Sequence, residues 1–141
     1  MSANGDVEMV QSDARSPTVF VIDDNADVRA SIAGLLKLVG LRAETFESAS
    51  EFLSSDRSDG PRCLVLDFTL PGTNGFEVQR ELSDAGLDIP IIFISGYDDI
   101  PGNTPAIRSG AVRFLTKPFG DEALLDAIQE ALNRDRTMRQ K

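Results

Sequence analysis

Three aspartates stand at the ends of two apolar runs. Asp23 and Asp24 follow Thr18–Ile22, and Asp67 follows Cys63–Leu66. Where such runs are neighbouring strands of a parallel sheet, their C-terminal ends open into one crevice, the usual place for a ligand. Three carboxylates in one crevice repel each other, so the site needs a cation, or one acid must take up a proton. A third run, Val112–Leu115, ends in Thr116-Lys117-Pro118 and delivers an amine to the same edge. Acids, a divalent metal and a lysine together describe a site for a phosphoryl group.

The elements that must position these groups alternate strand and helix. Val19–Ile22, Cys63–Leu66 and Pro90–Ile94 are continuous apolar runs, as expected of strands buried on both faces. Leu41–Phe46 is more polar and reads as an edge strand; Val112–Leu115 is the last strand. Between them, Val28, Ile32, Leu35, Leu36 and Val39 fall at helical spacing, with Asn25 or Asp24 as cap and Gly40 as stop. Ser48–Ser54 is a short helix with Ala49, Phe52 and Leu53 inward. The turn-rich Leu70–Gly75 leads into a helix over Phe76–Ala85. The terminal helix runs over Asp121–Arg136, with Leu124, Leu125, Ile128, Ala131 and Leu132 on one side. Pro105 fits well as a first helical residue, with Thr104 as its cap, so the fourth helix is expected to be short, about Pro105–Ser109, behind a loop over 98–104, the alternative being a distorted longer helix from Pro101. The pattern implies an α/β fold, an open parallel sheet of five strands with five helices on its two faces. Residues 1–16 read as a disordered leader, 17–134 as the folded domain and 135–141 as a polar tail.

Composition narrows the function. The 141 residues are one domain's worth, and 23 acidic against 14 basic side chains give a net charge of −9. That balance argues against a nucleic-acid-binding face. No run reaches the roughly 18–20 apolar residues of a membrane span, and the N-terminus lacks the pattern of a signal peptide, so a cytoplasmic location is expected. The chain has no histidine, which removes Ser-His, Cys-His and zinc-histidine chemistry. Its single cysteine, Cys63, lies mid-strand among Leu and Val and reads as an inert core residue.

Val21-Ile22-Asp23-Asp24-Asn25, Leu64–Asp67 followed by Leu70-Pro71-Gly72-Thr73-Asn74-Gly75, Phe93-Ile94-Ser95-Gly96 and Leu115-Thr116-Lys117-Pro118-Phe119 resemble, in order and spacing, the motifs of response-regulator receiver domains. The resemblance covers residues 18–134 and is nearest to receivers of the FixJ type. It implies a doubly wound, flavodoxin-like sheet in the order 2-1-3-4-5. It implies that Asp67 accepts a phosphoryl group from the phosphohistidine of a sensor histidine kinase. It implies Mg²⁺ held directly by Asp24, Asp67 and the backbone carbonyl of Thr69, and through water by Asp23. Lys117 would pair with Asp67 at rest, and the peptide before Pro118 is commonly cis in such domains. Ser95 would donate to the phosphoryl group and Phe114 would occupy the switch position, while a plain core-packing role for Phe114 stays open. Thr69 and Tyr97 would tune the phosphoryl lifetime.

A receiver of this kind is a phosphoacceptor that catalyses only its own phosphorylation and dephosphorylation, not an enzyme that turns over a substrate. Leu66-Asp67-Phe68-Thr69 superficially resembles the nucleophile loop of haloacid-dehalogenase-type phosphatases, but that loop follows the first strand and Asp67 follows the third. A phosphorylation-independent pseudo-receiver usually lacks one of the acids or the lysine, and all four are present. With 24 residues after Lys117, a stand-alone receiver is expected, the alternative being the receiver of a longer DNA-binding regulator. Its partners would be the kinase and a histidine phosphotransfer or effector protein, with no direct contact to nucleic acid or membrane. A homodimer could form through helix four and strand five, through the first and last helices, or by exchange of the tail.

Overall fold

Continuous apolar runs and the amphipathic segments between them are realised as one parallel sheet covered on both faces. The computed structural model describes residues 17–55, 60–96 and 112–139. The strands β1 (Thr18–Ile22), β2 (Arg42–Phe46), β3 (Arg62–Asp67), β4 (Ile91–Ser95) and β5 (Arg113–Thr116) lie in the order β2-β1-β3-β4-β5, every neighbouring pair parallel. This is the expected order. β1 and β4 are buried along their whole length and β3 from its second residue, whereas β2 and β5 are mostly exposed or part-buried, as edge strands are, β2 ending in buried Phe46.

Alternation along the central strands builds two unlike layers. Phe20, Ile22, Leu64, Leu66, Ile91 and Phe93 point to one face, where they meet α2 (Ala49–Leu53) and α3 (Gly75–Asp84). Val19, Val21, Cys63, Val65, Ile92 and Ile94 point to the other, against α1 (Ala26–Leu38) and α4 (Asp121–Arg139). Seven of the eight phenylalanines belong to the first layer; only Phe119 joins the second. There Phe20, Phe46 and Phe52 meet tilted or edge to face at 5.1–6.3 Å, contacts worth about 0.5–1.5 kcal/mol each beyond the area they bury.

Side-chain caps fix where the helices begin. Asn25 Oδ1 accepts from Asp27 N and Val28 N, Ser48 Oγ from Glu51 N, and Asn74 Oδ1 from Glu77 N. Gly40, at φ +82°, closes α1 as expected. Several expectations shift. β3 gains a residue at each end, β4 and β5 each lie one residue later, and α3 starts at Gly75 rather than Phe76 because Asn74 is its cap. Val39, expected inward, is 47% exposed: it is the C-cap of α1, and its N–H turns back to the Leu35 and Leu36 carbonyls. Leu70–Gly75 is not all turn, because Thr69–Leu70 pairs antiparallel with Thr73–Asn74 around Gly72 at φ +77°. The short fourth helix, the loop before it and the leader lie outside the described residues.

The terminal helix differs most. It continues to Arg139, beyond the expected Arg136, and Asp135, read as tail, is buried at 2% exposure. Asp135 Oδ2 accepts from Arg62 N at 2.9 Å and so ties α4 to the first residue of the strand that ends in Asp67. Burial, reinforced by the Asp135 charge, pushes the Cys63 thiol far above its ordinary range, which leaves almost no thiolate. Asp135→Ala strands a part-buried N–H and is expected to cost about 1–3 kcal/mol, measured as a lower urea midpoint. Cys63 should resist alkylation in the native state and react on unfolding.

Candidate functional site

The register assembles the acids. Ile22 pairs with Leu66, so Asp23 and Asp67 are the next residues of two adjacent strands. Asp67 in turn pairs with Ile94, and Ser95 with Thr116, which brings Ser95 and Lys117 to the same edge. Carboxylate oxygens of Asp23, Asp24 and Asp67 all lie within 4.8 Å of one another.

The three acids are not equivalent. Asp23 is fully buried: Asn25 N donates to its Oδ1 at 2.9 Å, and Arg29 Nη1 donates to its carbonyl at 2.6 Å. Asp24 is exposed, and because Asn25 takes the capping role, its carboxylate is left to face the crevice. Asp67 is 5% exposed, with Thr69 N donating to its Oδ1 at 3.1 Å. Lys117 Nζ stands 3.4 Å from Asp23 Oδ2 and 4.0 Å from Asp67 Oδ2. The expected pairing with Asp67 is therefore shared, and Asp23 is the nearer partner because Asn25 turns its other oxygen away. The Lys117–Pro118 peptide is cis, and Lys117 N donates to Ser95 O at 2.7 Å.

Burial raises the Asp67 pKa from 3.8 to about 6; the Thr69 hydrogen bond and Lys117 oppose the rise, and the charges of Asp23 and Asp24 add to it. Burial and the neighbouring charges thus bear together on Asp67. An all-oxygen donor set with one solvent-facing member fits a hard divalent cation that keeps some of its waters. Such a cation would relieve the repulsion that Asp67 feels.

Ser95 is buried at the end of β4. Phe114 is part-buried and stacks on Phe93 at 5.1 Å and 20°, so in this structure it packs with the core. Thr69 is exposed beside Asp67, and Tyr97 lies outside the described residues. Sequence reasoning missed Arg29 and Asp135. Arg29 carried no motif signal. Asp135 was legible, since Leu124, Ala127, Ile128, Ala131 and Leu132 form a buried stripe that position 135 continues at helical spacing.

A family model described as the response regulator receiver domain matches residues 19–129. The chain belongs to the receiver domain family. This receiver is 48% identical over 122 residues to Nodulation protein W of Bradyrhizobium diazoefficiens, covering 86% of this chain and 54% of that one. It superposes on the structure of the response regulator StyR with a TM-score of 0.82 and 45% identity, covering 89% and 63% of the two chains. With the crystal structure of FixJ-N the TM-score is 0.74 at 35% identity, covering 84% and 95%. The receiver spans about half the length of the curated relatives it matches. Among its described residues, no helix is long and apolar enough to cross a membrane.

The Asp67 shift sets a pH dependence for the metal-free receiver. Between about pH 4 and pH 6 the native state holds a proton that the unfolded chain has released, so this group's contribution falls as pH rises through that window and stays low above it. Asp67→Asn abolishes that contribution. The variant's stability loss between pH 4 and pH 7, by urea unfolding without divalent metal, should be smaller than wild type's by on the order of 2 kcal/mol.

Proposed function

We propose that this receiver takes a phosphoryl group from a kinase phosphohistidine onto Asp67 and thereby switches a protein-binding surface. The observation that supports this most is a buried, destabilised carboxylate flanked by two acids and an amine at adjoining strand ends. A carboxylate oxygen of Asp67 attacks phosphorus, the P–N bond breaks, the imidazole keeps the electron pair and takes a proton, and the product is an acyl phosphate. Ionised Asp67 is the reactive form, and Lys117 favours that form. Asp24, Asp67 and the Thr69 carbonyl would hold Mg²⁺ directly, with Asp23 behind a water. When bound, Mg²⁺ supplies positive charge where the transferring oxygens gather negative charge. The Ser95 hydroxyl would donate to the phosphoryl group, and Phe114 would turn inward into the space that Ser95 leaves.

The partner that presents the phosphohistidine has an apolar seat next to the site. A groove of about 420 Å³ between α1 and the start of α4 is lined by Val28, Leu35, Phe119 and Leu124, with Lys117 at its rim. The output is proposed at the level shared by a stand-alone receiver and by regulators twice as long: a phosphorylation-dependent contact with a protein partner or effector, in the cytoplasm, without substrate turnover.

Incubation with acetyl phosphate and Mg²⁺ should add one phosphoryl group per chain by intact mass. Asp67→Asn or removal of metal with a chelator should abolish the addition. Steady hydrolysis of a small phosphate ester would point instead to a phosphatase. Thr69 and Tyr97 are proposed to screen the acyl phosphate from water, so Thr69→Ala and Tyr97→Ala should each shorten its lifetime several-fold. A lifetime that lengthens in either variant contradicts the screening role.

A further inference from the structure

Phe68, the residue after Asp67, is pinned on three sides. Its N–H donates to the Ile94 carbonyl at 2.7 Å, and its own carbonyl accepts from Gly75 N at 2.7 Å. Its ring meets Phe76 edge-on at 4.9 Å and Phe93 at 5.7 Å. Gly75 is buried at the first position of α3 and faces both rings. A Cβ at this position would stand 2.7 Å from Phe68 Cδ1, and 2.5 and 2.8 Å from Phe93 Cε1 and Cδ1. Carbon atoms in good contact sit roughly 3.5–4 Å apart. Alanine is the better helix former, so what keeps glycine here is the space.

A methyl group at this position would push against a ring whose main chain is continuous with Asp67 on one side and Thr69 on the other. The Thr69 N–H is the one that holds Asp67 Oδ1, at 3.1 Å. We propose that Gly75 is a positioning residue for the Asp67 carboxylate, acting through Phe68: its missing side chain lets the Phe68 ring seat on α3, and that seat sets where the nucleophile points. The inference rests on Asp67 being the phosphoacceptor. Nucleophile placement is steeply felt in rate, since a misplacement of about 1 Å can cost on the order of 100-fold.

The test compares the full chain with Gly75→Ala, Phe68→Leu and the double variant. Leu is shorter than Phe and rotates away from an added methyl. Gly75→Ala is expected to displace the Thr69 amide resonance in the unligated protein. It should also slow Mg²⁺-dependent phosphorylation by acetyl phosphate about tenfold. Both effects should return part of the way toward wild type in Gly75→Ala/Phe68→Leu, where the added methyl still meets Phe93 Cε1 and Cδ1, a rescue that general loss of structure would not give. An unchanged rate and amide in Gly75→Ala, or no recovery in the double variant, overturns the proposal. If Gly75→Ala does not fold, Phe68→Leu alone decides: a displaced Thr69 amide and slower phosphorylation support the proposal, and an unchanged amide and rate overturn it. A wild-type chain that takes no phosphoryl group sinks the phosphoacceptor reading instead, and the Thr69 amide comparison still decides the role of Gly75.

Discussion

Mutual repulsion of three carboxylates at the edge of a dry sheet is the constraint on which the site depends. Parallel pairing of β1 with β3 places Asp23 beside Asp67, and neither has enough water around it to dissipate its charge. Lys117 offsets part of the repulsion, but it sits between two acids and nearer Asp23 than Asp67. At Asp67 burial first, and then the charges of Asp23 and Asp24, raise the proton affinity. A group held in this condition gains from any positive or phosphoryl-bearing ligand that enters the crevice, and the chain places its most exposed acid, Asp24, at the entrance.

The rest of the fold holds that condition in place. Buried β1, β3 and β4 cannot shift without breaking packing on both faces, so the acids cannot relax apart. Asp135 extends the same restraint to the opposite end of β3, where it fastens the last helix to the strand. The same strand thus has a helix carboxylate bonded to its first N–H and its own buried carboxylate at its last residue.

Much of this was legible because it follows from short-range rules. Three uninterrupted apolar runs announced buried strands, Asn25 and Gly40 announced the limits of α1, and the four acidic and basic site residues stood at run ends. What was not legible depends on distances between elements. Lys117 could be placed at the edge, but its preference for Asp23 follows from which oxygen Asn25 occupies. Val39 fitted the helical period and still lies outside, because the backbone turns at the cap before the stripe is complete. Asp135 stood at a stripe position, but its partner, the Arg62 N–H 73 positions away in sequence, did not show. Gly75 gave no sign of its neighbours, since the two rings that crowd it come from β4 and the loop after β3.

The uneven division of phenylalanines between the faces has one further consequence. Asp23 and Asp67 share the strand parity of the aliphatic layer, whereas Phe93, Ser95 and Phe114 have that of the aromatic one. The sheet is therefore a partition with the charge on one side and the rings on the other. Whatever happens to Asp67 has to cross it, and the crossing is one peptide long, from Asp67 to Phe68 or from Ile94 to Ser95.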